Sequence, residues 1–106
     1  MITQLVLPPA LDAEWRSKIE RQLDLTLASV HWQIKRLVLV LDVDPKSVGK
    51  KGVHALYRCQ LEAKLRSGRS HKLKVNSRDP QACAADVAAR LRREIIRDKH
   101  LGLQVS

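Results

Sequence analysis

The chain contains no phenylalanine, one tyrosine and two tryptophans, so aromatic residues make up only 3% of its 106 positions. A sheet that reads single-stranded RNA by stacking bases needs aromatics on its exposed face. Strand alternation places Tyr57 on the core phase, which excludes that mode, and it reads Trp15 as core and Trp32 as core-edge. Cysteine is nearly as scarce. Cys59 and Cys83 fall on the apolar phase of a strand and near the apolar side of a helix, where a free thiol behaves as a small hydrophobe. No disulfide framework is expected.

Long apolar runs are missing as well. The longest, Leu37–Leu41, falls far short of the roughly 20 residues a membrane helix needs, and the opening MITQLVLPPA lacks the basic region of a signal peptide. The expected setting is cytoplasmic, with no membrane partner. Catalytic patterns are also absent: there is no GxSxG, no glycine-rich phosphate loop and no evident carboxylate pair. His31, His54, His71 and His100 make no metal-ligand spacing with the cysteines. An acid–base pair of His54 and His71 is opposed by alternation, which puts His54 on the wet phase and His71 on the core phase. The chain therefore reads as a non-enzyme that requires no metal, cofactor or small-molecule substrate.

Acidic residues are in short supply where basic ones gather. Residues 1–44 hold 5 Lys or Arg against 6 Asp or Glu, which leaves 15 against 5 for residues 45–106 out of totals of 20 and 11. A net charge of +9 concentrated in this way suits a polyanion, with nucleic acid as the first candidate.

The periodicities predict β-α-β-β-β-α. Ile2–Leu7 is a branched, apolar strand closed by Pro8-Pro9, and Trp15, Ile19, Leu23 and Leu27 recur as the stripe of a helix from about Leu11 to Leu27. Ile34–Val43 alternates Leu37, Leu39, Leu41 and Val43 against Arg36, Val38, Val40 and Asp42. DPKSVGKKG, Asp44–Gly52, is a loop. Val53–Leu65 is the cleanest half-buried strand, and Ser67-Gly68 turns it into a fourth strand with Leu73 and Val75 inward and Lys72, Lys74 and Asn76 outward. Asp79-Pro80 starts a second helix with stripe Ala84, Val87, Ala88, Leu91 and Ile95, ending near Lys99 where His100 and Gly102 act as stop signals. The expected fold is α+β, a two-layer sandwich with a four-stranded mixed sheet and two helices on one face, forming one domain over residues 1–106.

On the second helix Arg90, Arg93 and Arg97 share one flank, with Arg92 and Lys99 forming another row. Guanidinium groups in a row on a rigid rod match phosphates and release condensed counterions. Lys46, Lys50 and Lys51 in the loop, and Arg58, Lys72 and Lys74 on the outer sheet face, complete the expected RNA-binding set, beside Arg36, Lys64 and Arg66. A small apolar spot of Val38, Val40 and Leu56 interrupts that face.

The stretch Asp79-Pro80-Gln81-Ala82-Cys83-Ala84-Ala85-Asp86, followed by Arg90-Leu91-Arg92-Arg93-Glu94-Ile95 and Lys99, resembles the closing signature of a known family. That family is the ribosome hibernation promoting factors and ribosome-associated translation inhibitors, in which an Asp opens the second helix and an Ala-Ile-Asp segment, Lys-Leu, Arg-Gln-Leu and trailing lysines follow. The resemblance extends over nearly the whole chain, with Glu94 where the family carries Gln. It implies a protein that binds the small ribosomal subunit in the messenger and transfer RNA channel, contacts ribosomal RNA and silences translation under stress or in stationary phase. The length matches the short, sigma-54 modulation protein-like type, a monomer when free. Two alternatives stand beside it: a double-stranded RNA-binding module, whose α-β-β-β-α order is contained in this one, and a protein-interaction domain using the outer sheet face.

Overall fold

A computed structural model describes residues 2–9, 11–44 and 56–105, except for the side chains of Ile2 and of residues 98–105. The elements run β1 (Ile2–Val6), α1 (Ala13–Leu27), a single 3-10 turn (His31–Gln33), β2 (Ile34–Val43), β3 (Tyr57–Leu65), β4 (Ser70–Ser77) and α2 (Pro80–Val105). The sheet order is β1-β2-β3-β4, with β1 parallel to β2 and the other neighbours antiparallel. This is the α+β mixed-sheet sandwich that the periodicities predict.

Each element starts where local chemistry dictates. The prolines end β1, Leu11 N–H donates to the Pro8 carbonyl at 3.0 Å, and Asp12 caps α1 by accepting from Trp15 N–H at 3.1 Å. α1 buries Ile19, Leu23 and Leu27, four residues apart. Trp15, expected in the core, is only half-buried. It lies one turn outside this stripe, and the Lys18 ammonium sits 5.1 Å from its ring centre.

β2 contains a feature that alternation does not reveal. Ile34 and Leu37 are both buried although they stand an odd number of positions apart. The register shows why: Ile34 pairs with Leu65 and Arg36 with Lys64, so Lys35 is the extra residue of a β-bulge. From Leu37 onward the phase is regular, and Leu37, Leu39 and Leu41 meet Ala63, Leu61 and Cys59 across the ladder. The predicted strand Val53–Leu65 is observed over Tyr57–Leu65, while Val53–Ala55, including His54, lie outside the described residues. Gly68, with φ +94°, supplies the left-handed residue of the β3–β4 turn, where the Leu65 carbonyl accepts from its N–H at 3.0 Å.

The Asp79 carboxylate accepts from Gln81 N–H at 2.9 Å and Ala82 N–H at 3.4 Å, fixing the start of α2. Replacing this cap, Asp79→Ala, is expected to cost about 1 kcal/mol. A urea titration followed by far-ultraviolet circular dichroism measures it, and a change below about 0.3 kcal/mol would show that the cap does not hold the helix start. α2 does not end near Lys99 but continues to Val105. A single glycine inside a helix costs only about 1 kcal/mol relative to alanine, and once a helix is nucleated each added residue gains a bond, so Gly102 alone does not stop it.

The inner face of the sheet packs against both helices. Cys83, Ala84, Val87, Ala88, Leu91 and Ile95 of α2 join Ile19, Leu23 and Leu27 of α1 over Leu37, Leu39, Leu61 and Ala63. Small residues at positions 83, 84 and 88 let α2 approach closely, and Cys83 Sγ lies 3.3 Å from the Val75 carbonyl. Both cysteines are free and buried. A hydrogen bond between their thiols, reinforced by burial, pushes the Cys59 thiol upward, so Cys59 stays protonated at neutral pH. Because both side chains are shut off from solvent, neither thiol is expected to react with a disulfide reagent in the native protein within minutes, and both are expected to react in denaturant. Prompt native labelling would show the α2–sheet seam to be open.

Candidate nucleic-acid interface

Chain direction decides where the basic residues meet. β1 and β2 are parallel, so α1 returns from the end of β1 to the start of β2. α2 begins beside Tyr57 and Val75, where Cys83 Sγ approaches their carbonyls, and reaches Leu73 by Arg90. Both helices therefore run toward the β3–β4 turn. α2 is the longer partner, its 26 residues spanning roughly 39 Å against roughly 26 Å for β4.

At the opposite end lie Asp12, Glu14, Asp42, Asp79 and Asp86, several of them at helix N-termini where acidic groups are favoured. Toward the turn lie Lys35, Arg36, Lys64, Arg66, Arg69 and Lys72, with Glu62 of β3 as the one carboxylate among them, paired opposite Lys72. β4 itself, SHKLKVNS, has no carboxylate, and it is an edge strand.

Arg90, Arg93 and Arg97 line one groove together with Glu94 and Leu73. This flank of α2 overhangs β4 from the inner side of the sheet, while Lys72 and Lys74 project from the outer face of the same strand. The structure thus brings five of the sequence-predicted site residues to one strand, from both of its sides. Arg90 lies 3.6 Å from Asp86, and Arg97 lies 3.6 Å from Glu94. These pairs are about half or more exposed on the arginine side, a setting in which an ion pair contributes at most about 1 kcal/mol and yields to a phosphate. Arg93 has no carboxylate partner among the described residues.

The remaining predicted residues separate from this group. Arg92 is exposed on the other flank of α2, about 200° around the helix from Arg90. Arg58 stands near the acidic end, where Asp42 pairs opposite it and accepts its guanidinium at 3.2 Å. Lys99 lies within the α2 backbone range, its side chain outside the described residues, and Lys46, Lys50 and Lys51 lie outside them altogether.

Two basic residues, Arg69 in the turn and Lys35 in the bulge, are not singled out by the sequence patterns. The signal available is the absence of Asp and Glu from residues 25–41 and 63–78, two segments that the β2–β3 pairing joins where Ile34, Arg36 and Leu37 meet Leu65, Lys64 and Ala63. Trp32 is a further difference, being 56% exposed where the sequence suggests the edge of the core. On the outer face, Val40 pairs with Val6 of β1, so the apolar spot extends onto the first strand.

No protein-family model matches the chain, and no curated protein matches it in sequence. Solved structures do match. A ribosomal subunit interface protein from Coxiella burnetii superposes with a TM-score of 0.73 at 15% identity, over 94% of this chain and 99% of that one. The Protein Y N-terminal domain from Thermus thermophilus superposes with a TM-score of 0.61 at 17% identity, over 92% and 98% of the two chains. The chain shares the fold of these proteins across nearly its whole length, so the resemblance first read from the α2 segment is met at the level of the fold. Among the described residues, no helix is long and apolar enough to cross a membrane.

Proposed function

We propose that this protein is a non-catalytic, cytoplasmic ribosome-binding factor that occupies the messenger and transfer RNA channel of the small ribosomal subunit and inhibits translation under stress or in stationary phase. The observation that carries the reading is the convergence of Arg90, Arg93 and Arg97 with Lys72 and Lys74 on the carboxylate-free edge strand β4. It is supported by a fold shared with a protein named for the interface of ribosomal subunits.

In this reading the arginine row takes phosphates of ribosomal RNA, recognising backbone shape and charge without reading bases. Arg92, Lys99, Lys46, Lys50 and Lys51 add longer-range attraction, and Arg58 contributes only where RNA displaces it from Asp42. A rigid domain needs no chemistry to inhibit, since its presence in the channel excludes the natural ligands.

Sedimentation with purified small subunits tests this. The protein is expected to co-migrate with the subunits at low salt, to be released at high salt, and to be displaced by transfer RNA. Co-migration indifferent to both salt and transfer RNA would point instead to a protein contact through the outer sheet face around Val6, Val38 and Val40.

A further inference from the structure

Two cations stand directly opposite one another on the open face of the sheet, near the β3–β4 turn. Arg36 of β2 pairs with Lys64 of β3, and Lys64 pairs in turn with Ser70 of β4. Their chain neighbours Leu37 and Ala63 are fully buried against the helices, so Arg36 and Lys64 point to the outer face, where both are exposed. The bulge at Lys35 creates this pairing. Ile34 is buried, and regular alternation after it would turn residue 36 inward; the extra residue sets Arg36 outward instead.

Like charges in register on adjacent strands, with Cβ atoms roughly 5 Å apart, repel and destabilise a sheet unless something compensates them. Within the chain little does. Arg36 Nη2 donates to Gln4 Oε1 at 3.3 Å, a neutral contact that uses one of its five N–H donors and leaves its charge in place. Lys64 has no ion pair among the described residues. Glu62 lines the same groove, but it stands one row along, opposite Val38 and Lys72, and forms an ion pair with neither cation.

An anion with several oxygens answers this arrangement. The guanidinium offers a planar fork of donors, the ammonium a point charge and Ser70 a hydroxyl donor, and all three residues line one groove. The cations also continue beyond it. Ser70, Lys72 and Lys74 recur on the outer side of β4 at intervals of roughly 6.8 Å, with no carboxylate on that strand. Two exposed cations hold a lone phosphate ion weakly, whereas phosphates linked in a chain add their attractions along such a track.

We infer that Arg36, Lys64 and Ser70 form a phosphate-binding site on the outer face of the sheet, seating one phosphodiester of an RNA strand that continues over Lys72 and Lys74. This rests on the reading of the domain as a binder of ribosomal RNA. It adds a contact on the face opposite the helices, so that the domain grips RNA from both sides of β4.

The test compares two double variants of the full chain that remove the same charge. One is Arg36→Gln with Lys64→Gln. The other is Lys18→Gln with Arg21→Gln on α1, exposed positions in the helical layer across the sheet. Anisotropy of a labelled ten-nucleotide oligouridylate and sedimentation with small subunits report affinity at several salt concentrations. Amide spectra of the native protein, titrated separately with the oligonucleotide and with inorganic phosphate, report where each binds. Far-ultraviolet circular dichroism confirms that both variants fold.

The Arg36 and Lys64 variant is expected to bind both ligands about tenfold more weakly and to reduce the slope of log affinity against log salt by roughly two. The α1 variant is expected to stay within about twofold of the native protein, and the amides of Lys64 and Ser70 are expected to shift saturably with the oligonucleotide. Equal losses in the two variants overturn the site and leave the ribosomal reading to the α2 arginines. Saturable shifts with inorganic phosphate but not with the oligonucleotide assign the row to a small phosphorylated ligand and overturn the RNA strand. No binding of the native chain to RNA or to small subunits overturns both the site and the reading beneath it.

Discussion

Reversing Arg93 and Arg97 together to glutamate is expected to lower affinity for small ribosomal subunits roughly a hundredfold while leaving the fold unchanged. Each arginine–phosphate hydrogen bond is worth ~1.5 kcal/mol, so removing two of them gives this factor before any repulsion from the new carboxylates. Both side chains lie on the solvent flank of α2, clear of the buried stripe Val87, Leu91 and Ile95, so neither supports the core. Arg97 gives up only an exposed pair with Glu94, and Arg93 gives up no carboxylate partner among the described residues. Salt dependence separates this from a general charge effect. With about six phosphates engaged, log affinity falls against log salt with a slope of roughly five, and freeing two of those phosphates reduces the slope by roughly two. An unchanged affinity across several salt concentrations would take α2 out of the interface.

Leu91→Ala is expected to act in the opposite sense, lowering stability while leaving RNA binding intact in the molecules that remain folded. Leu91 is fully buried between the two arginine-bearing flanks of α2. Truncation of such a leucine costs about 3 kcal/mol, from the transfer energy forfeited and the cavity left behind. That is a large share of the roughly 5–15 kcal/mol typical of a folded domain. For an m-value near ~1.5 kcal/mol/M, the urea midpoint falls by roughly 2 M. A destabilisation below about 1 kcal/mol would mean that α2 is not seated on the sheet as described. Together the two variants separate the helix's two roles, since one face anchors it and the other presents charge.

Much of this architecture is legible in the sequence because it rests on short-range periodicity. Leu37, Leu39 and Leu41, and Cys59, Leu61, Ala63 and Leu65, alternate strictly, and all are buried. Asp79-Pro80 marks the start of α2, and the spacing of three and four residues puts Arg90, Arg93 and Arg97 on one flank. What the sequence hides depends on relations between distant segments. The bulge at Lys35 leaves no mark in composition, and the exposure of Trp32 follows from the chain path just before it. Alternation groups Arg58 with the open basic face, because its pairing with Asp42 follows from the β2–β3 register, which the intervening loop conceals. The flank of α2 that overhangs β4 likewise emerges only once the helix is laid across the sheet. Gly102 reads as a stop signal, but glycine ends a helix only when the backbone beyond it turns away.

Among the proposed site residues, the structure groups the arginine row with Lys72 and Lys74 and sets Arg58 and Arg92 apart from them. The protein-interaction alternative and the RNA-binding readings weighed from sequence make different spatial demands. A protein-interaction domain would use the apolar spot of Val6, Val38 and Val40, which lies away from the arginine groove. A phosphate-binding domain would use the β4 edge and the α2 flank above it.

Electron cryomicroscopy of the protein bound to purified small subunits tests this choice most directly. The expected result is density for the domain in the messenger and transfer RNA channel, with the guanidinium groups of Arg90, Arg93 and Arg97 within hydrogen-bonding distance of RNA phosphates and β4 facing the RNA. A domain docked through α1 or through the outer face of β1 and β2, with the α2 arginines turned to solvent, would contradict it.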